Sequence, residues 1–356
     1  MKGLVLAGGH GTRLRPLTFS GNKHMLPIAN QPILFYSLRN LARAGIRDVG
    51  VVLGPLHEGI REAIGDGKEF GLRVEYIVQG DPKGLAHAVL CAREFLGDDP
   101  FVMYLGDNLL QSGVEPFLAR YEFDRPDAVV GATPVAHPEQ YGIIELQGNG
   151  IASIEEKPSR PKSNLALIGV YLFTPVIHQV VAKLTPSRRG ELEITEAIWG
   201  LVAAGRPVSV LEVEGWWKDT GHPGDLLDAN ELVLRSLPSD GFVIQGKVEP
   251  GAIIEGPVGI GVDSIVESGA HIVGPTVIGS RARIGRGSLV GPYCAVGDRV
   301  LLDRTQVRRS IIMEGTRIVG MSIANSLVGR GADVHAERPP ERETILTLGD
   351  SSRVSF

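Results

Sequence analysis

Along the first two thirds of the chain the apolar residues come in short runs: GLVLA, VGVVL, VEYIV, PFVMYLGD, AVVGATPV and LIGVYLF. Between them lie longer stretches such as PILFYSLRNLARAG and LAHAVLCAREFL, spaced like amphipathic helices. Strands alternating with helices predict a doubly wound α/β domain on a mostly parallel sheet, since each parallel crossover needs a covering helix. The stretch RSLPSDG, broken by Pro238 and Gly241, reads as a linker that closes this domain at Leu237.

Beyond the linker the period changes. Val248, Ile254, Ile260, Val266, Ile272, Ile278, Ile284, Val290, Val296 and Leu302 follow one another in steps of six. A helix repeats every ~3.6 residues and a strand every ~2. Six is the step of a hexapeptide solenoid, the left-handed β-helix, in which each aliphatic residue points into a triangular stack. Gly261, Gly279, Gly285, Gly291 and Gly297 follow the inward residue, where coils turn or approach closely. The phase slips near Val307 to Ser310, which predicts a loop or bulged coil before Ile312 and Ile318 resume the step. The chain therefore divides into an α/β domain over 1–237, a β-helix over 242–336 and a tail or cap over 337–356.

With 356 residues, 43% hydrophobic and 22% charged, the composition suits two globular domains and excludes a disordered or fibrous chain. The net charge of −5 and the lack of a dense Lys/Arg stripe argue against a nucleic-acid polymer as partner. The start offers no signal-peptide core and no apolar run approaches a membrane span, so a cytoplasmic protein is expected. Cys91 and Cys294 lack metal-ligand spacing and read as buried free thiols.

The glycine-rich opening, LVLAGGHGTRLRPLT, carries the candidate chemistry. A dinucleotide fingerprint needs a third glycine where Leu14 stands, and a phosphate-binding P-loop needs a Lys-Ser or Lys-Thr that is absent. What remains is a strand, a bend of Gly8, Gly9 and Gly11 offering backbone N–H groups, then Arg13 and Lys23. Backbone donors followed by two cations suit a polyphosphate; a plain strand-turn motif is the alternative.

GGHGTRLRPLT and KHMLPI resemble the signature of the sugar-phosphate nucleotidylyltransferases. QGDPKGLAHAV, FVMYLGDN, EQYGIIE, EEKPSRPKSN, RGELEIT and WWKDTG bring the resemblance close to the glucose-1-phosphate thymidylyltransferases over about the first 235 residues, and the hexapeptide region is similar to that of their longer members. The resemblance implies in-line attack of the glucose 1-phosphate oxygen on the α-phosphorus of dTTP, giving dTDP-glucose and pyrophosphate, with Mg²⁺ as cofactor. It assigns the phosphates to Gly8, Gly9, Gly11, Thr12, Arg13 and Lys23, and the metal to Asp107 and Asp219. It also assigns the base to Gln79 and Gly84, and the sugar phosphate to Tyr141, Gly142, Glu156, Lys157, Leu167 and Trp217.

The chain departs from the short-form pattern at His24, His87, Leu167-Ile168 and Lys218, which leaves UTP as a competing nucleotide and other sugars open. Other readings are acyl transfer on the solenoid through His271 or His335, a non-catalytic nucleotide-sugar sensor, and an NAD-dependent oxidoreductase. The sensor is opposed by the presence of Arg13, Lys23, Asp107 and Asp219, the oxidoreductase by the missing glycine. Stacked coils expose flat faces suited to a homo-oligomer.

Overall fold

The computed structural model describes residues 1–54, 57–148, 150–337 and 342–356. Contacts divide the chain into two compact units, one of Met1–His10 with Leu34–Asp219, the other of Gly11–Ile33 with Thr220–Phe356.

In the first unit, β1 (Lys2–Ala7), β2 (Asp48–Leu53), β3 (Arg73–Val78) and β4 (Phe101–Leu105) run parallel in the order β3-β2-β1-β4. Leu4, Val5, Val49, Val51 and Val52 are fully buried, as a parallel sheet covered on both faces requires. Helix α1 (Ile33–Arg43) lies between β1 and β2 in sequence and α2 (Leu85–Cys91) between β3 and β4, which is the α/β alternation read from the apolar runs; α3 (Ile194–Ala203) comes much later in the chain.

Short β5 (Asn108–Leu110) follows β4, and the sheet continues with β6 (Ala128–Pro134), β7 (Gly142–Gln147), β8 (Gly150–Glu156), β9 (Leu165–Phe173) and β10 (Val208–Glu212). Strand β9 lies next to β4 and runs antiparallel to β4, β6 and β7, while β10 is parallel to β6. A separate two-stranded ribbon joins β5 to β11 (Trp217–Asp219), with Asp219 opposite Asn108 and Trp217 opposite Leu110. This ribbon places the end of β11 beside the carboxyl end of β4, where ligands of open α/β sheets collect.

The second unit is built on helix α4 (Pro223–Ser236) and a parallel β-helix of three sheets with seven, five and six strands, a solenoid of the left-handed type. All ten residues of the six-step series line its core; from Ile260 to Leu302 none is more than 4% exposed, while Val248 and Ile254 in the first coil are half-buried. Gly261, Gly279 and Gly297 form one column at a corner: a Cβ on Gly261 would lie 2.6 Å from the Gly279 carbonyl carbon, and one on Gly279 2.7 Å from that of Gly297. Only glycine permits that approach.

The expected loop or bulge at the slip is absent. Instead the coil itself shortens: Val266, Ile284 and Leu302 pair in register eighteen residues apart, whereas Leu302, Ile318 and Val334 pair sixteen apart. Inward residues now run Ile318, Ile323, Val328 and Val334, in steps of five, five and six. Losing one residue from each of two sides keeps every ladder parallel and every aliphatic residue inside, so no bulge is needed. Thr347–Leu348 pairs with Leu327–Val328 and Arg353–Ser355 with Asp333–His335, so the terminal stretch adds a last coil; its residues 338–341 lie outside those described. The RSLPSDG stretch begins inside α4 and ends in a 3₁₀ turn over Ser239–Gly241.

Segment Gly11–Ile33 is tied to the second unit by specific bonds. The Ala29 amide donates to Asn230 Oδ1 at 2.9 Å, and Asn30 Nδ2 donates to the Val296 carbonyl at 2.8 Å. Arg309 clamps α4 onto the coils through Asp228 at 2.6 Å and Glu231 at 2.9 Å. Among the described residues no helix is long and apolar enough to cross a membrane.

Candidate active site

At the end of β1 the chain bends through Gly8 and Gly9. A Cβ on Gly54 would sit 2.3 Å from the Gly8 carbonyl oxygen, and one on Gly8 2.9 Å from Gln79 Oε1, so the ends of β1, β2 and β3 converge around bare backbone. Gln79 Nε2 donates to the Gly84 carbonyl at 3.1 Å and lies 3.2 Å from His87 Nδ1. Gly84 itself has φ of +104°, with no room for a side chain against Leu192, whose carbonyl also accepts from Ala86 N at 3.1 Å. The structure thus brings Gly8, Gln79 and Gly84 together, with His87 as a direct partner of Gln79.

Asp107 follows β4 after Gly106, and Asn108 Nδ2 donates to its Oδ1 at 3.2 Å. Because Asp219 lies opposite Asn108 in the β5–β11 ribbon, the two carboxylates fall on adjacent strand positions. Mg²⁺ is bound by oxygen, typically through one or two carboxylates with the remainder supplied by substrate and water. Two aspartates at converging strand ends fit that donor set, and among the described residues no cluster of three or more His, Cys, Asp or Glu suggests a closed protein cage.

The same ribbon holds Trp217, whose indole Nε1 donates to Asn108 Oδ1 at 2.7 Å and whose ring meets Tyr141 edge-on at 5.5 Å between centroids. Asn108 therefore links Asp107 to Trp217. The motif FVMYLGDN ends on Asn108, but nothing in it marked the residue as this link.

Gly142, next to Tyr141, has no space for a side chain: a Cβ would come within 2.6 Å of Thr195 Cγ2 and 3.1 Å of Glu156 Oε2. Leu167 is 5% exposed and belongs to the core, its Cδ1 3.4 Å from where a Cβ on Gly142 would lie. Glu156 is held by Arg189 at 3.2 Å, and Arg189 also reaches Glu193 at 3.1 Å. Burial pushes the Glu156 carboxyl above its usual range, and the neighbouring Glu193 pushes it further, against the pull of Lys157 and Arg189. Arg189 and Glu193 lie in RGELEIT, a stretch whose resemblance was legible but whose role in orienting Glu156 was not. Lys157 is exposed, with φ of +44°, and its amide donates to the Tyr141 carbonyl at 3.0 Å.

In the second unit, Gly11 has φ of +63° and opens a 3₁₀ turn over Thr12–Leu14, on which Thr12 and Arg13 are exposed while Leu14 is buried. Thr18 Oγ1 fastens the turn by donating to the Gly11 carbonyl at 2.7 Å, and a Cβ on Gly11 would meet Lys23 Cβ at 3.0 Å. Arg13 Nη1 lies 3.3 Å from Nε2 of His222, the residue that caps α4 and was not singled out in the sequence. His24 is 1% exposed with its ring on Asn22 Oδ1 at 2.6 Å, a satisfied interior histidine rather than a free group.

The nucleotidyl transferase family profile matches residues 2–236. Over its whole length the chain is 45% identical to a glucose-1-phosphate thymidylyltransferase of Streptomyces griseus, 99% of which is covered. It is likewise 44% identical over its full length to the low-salt glycan biosynthesis nucleotidyltransferase Agl11 of Haloferax volcanii, all of which is covered. A Bacillus anthracis structure described as a glucose-1-phosphate thymidylyltransferase, in complex with a sucrose, aligns with a TM-score of 0.63 at 36% identity over 67% of this chain and 96% of that one. UDP-glucose pyrophosphorylase complexed with UDP-glucose aligns with a TM-score of 0.60 at 26% identity, over 66% of this chain and 99% of the other. By a profile spanning most of the chain and by relatives aligned from end to end, this protein belongs to the nucleotidyl transferase family.

Proposed function

We propose that the protein transfers a thymidylyl group from dTTP to glucose 1-phosphate, giving dTDP-glucose and pyrophosphate. The observation that carries this reading is the β5–β11 ribbon, which sets Asp219 opposite Asn108 beside Asp107 and hangs Trp217 from the same asparagine. Full-length relatives that bear the thymidylyltransferase name support it.

An oxygen of the sugar phosphate attacks the α-phosphorus, and the bond from that phosphorus to the bridging oxygen of the leaving pyrophosphate breaks. Such a displacement needs no covalent enzyme intermediate, so positioning and charge stabilisation do the catalytic work. Arg13 holds the β- and γ-phosphates and Lys23 the phosphates nearer the reacting phosphorus, with the N–H groups of Gly8, Gly9, Gly11 and Thr12 as further donors. Asp107 and Asp219 hold Mg²⁺, which when bound neutralises developing phosphate charge. Gln79 and Gly84 read the pyrimidine; Tyr141, Gly142, Glu156 and Trp217 take the sugar over Leu167, and Lys157 takes its phosphate.

The chemistry is assigned to residues 1–237, with 242–336 as solenoid and 337–356 as its cap. A homo-oligomer in the cytoplasm is the expected setting, and the exposed Ile253, Ile265 and Val262 on the early coils offer apolar surface for self-contact.

A second reading, UTP in place of dTTP, is favoured by the Gln79–His87 contact, since His87 stands where the short-form pattern has glutamine. Pyrophosphate release from glucose 1-phosphate, measured with each nucleotide and with Asp107→Ala as blank, tests both. Mg²⁺-dependent release with dTTP that falls by at least ~10³-fold in the folded variant is the expected result. A faster rate with UTP would move the assignment, and no release with either would overturn it.

A further inference from the structure

The segment between Arg13 and Lys23 has little structure of its own. Its internal bonds are isolated turns, such as Leu17 N to Leu14 O at 3.0 Å and Phe19 N to Pro16 O at 3.3 Å, between the 3₁₀ turns Thr12–Leu14 and Lys23–Met25. Turns of this kind do not by themselves fix the separation of two side chains ten residues apart.

Beyond the Thr18–Gly11 bond and the packing of Lys23 on Gly11, it is held from the far end of the chain. Ser20 Oγ donates to Asp350 Oδ2 at 2.6 Å, and Asp350 Oδ1 accepts from the Arg330 amide at 2.7 Å. The Arg330 guanidinium then donates through Nη2 to the Met25 carbonyl at 3.2 Å. Pro16 rests on Gly349, where a Cβ would come within 2.9 Å of the Pro16 carbonyl oxygen. Pro16 and Ser20 within the segment, and Met25 in the turn that carries Lys23, are thus held by Gly349, Asp350 and Arg330 on the last coils. The grouping of Gly11–Ile33 with Thr220–Phe356, across more than 180 residues of chain, is the same fact at the scale of the unit.

We propose that the last coils of the solenoid brace the phosphate loop, with Asp350 as a positioning residue that fixes the spacing of Arg13 and Lys23. This assigns the solenoid a part in nucleotide binding, and it rests on the reading above that these two cations hold the triphosphate. A misplacement of about 1 Å in such groups is worth up to ~10²-fold in rate.

The test compares full-length wild type with Asp350→Ala, Asp350→Asn and Gly349→Ala. It measures KM for dTTP and for glucose 1-phosphate by pyrophosphate release, and hydrogen exchange over residues 14–26. The alanine at 350 removes both acceptor oxygens; asparagine keeps one for Ser20 or Arg330. The alanine at 349 leaves Asp350 intact but pushes against Pro16.

Asp350→Ala and Gly349→Ala are expected to speed exchange in the loop and raise KM for dTTP about tenfold, with KM for glucose 1-phosphate changed less than ~2-fold and Asp350→Asn near wild type. Unchanged loop exchange, faster exchange without a change in KM for dTTP, or an equal rise in both KM values would each overturn the proposal. A wild type that releases no pyrophosphate would instead overturn the substrate reading, and loop exchange would still decide the brace.

Discussion

Glu156 shows how the site sets the chemistry of a single residue. Its carboxyl is raised above the ordinary 4.5 by burial first and by Glu193 second. A glutamate with a folded pKa above its unfolded one binds protons more readily in the native state. Stability therefore falls as pH rises from 4.5 through the folded value, and the loss persists above it. Glu156→Gln removes this contribution, so its melting temperature is expected to fall less over that interval than the wild type's, as read by calorimetry across a pH series. Under the proposed sugar-binding role of Glu156, the same variant is expected to raise KM for glucose 1-phosphate about tenfold or more. Gly84 is set by backbone rather than charge: at φ +104° and against the Leu192 carbonyl, Gly84→Ala strains both partners. A destabilisation of about 1–3 kcal/mol is expected by denaturant titration, with a weaker KM for nucleotide because Gln79 loses its fixed carbonyl partner.

At the scale of elements, the solenoid makes the plainest energetic prediction. Ile284 is fully buried between coils paired on both sides, whereas Ile254 lies in the first coil of its sheet and is half-buried. Truncating a buried Ile to Ala costs about 2–5 kcal/mol, and less where neighbours can collapse or solvent already reaches. Ile284→Ala is therefore expected to lower the denaturation midpoint clearly more than Ile254→Ala; equal effects would show that the stack is not the source of stability. The ribbon of β5 and β11 works differently, contributing little buried area but fixing which side chains meet. Its pairing of Asp219 with Asn108 is long-range, which is why Asn108 was invisible in a sequence reading that found both aspartates.

For the whole molecule, two separate cores follow from two kinds of packing. One gathers Leu4, Phe101, Val130 and Phe173 around a sheet; the other stacks Val266, Ile284 and Leu302. Chains of this size with distinct cores depart from two-state unfolding. Calorimetry is expected to resolve two transitions, with Ile284→Ala lowering only one of them; a single transition shifted as a unit would contradict this. The assignment of Gly11–Ile33 to the second of these units could not be read from the sequence, where GGHGTRLRPLT stands beside β1.

The sequence by itself determined what depends on residues close together in the chain. Alternating apolar runs specified strands and helices, the six-step series from Val248 to Leu302 specified the solenoid and its inward face, and the resemblance of short motifs to the sugar-phosphate nucleotidylyltransferases pointed to Arg13, Asp107 and Asp219. Tertiary structure alone decided the shortening of the coil to sixteen residues, the Asn108 link between Asp107 and Trp217, the Arg189 clamp on Glu156, and the hold of Asp350 and Arg330 on Ser20 and Met25. Periodicity survives in a sequence because burial acts on each residue through its near neighbours. A hydrogen bond across hundreds of residues leaves no local trace, because either partner alone is an ordinary polar side chain until the fold closes the distance.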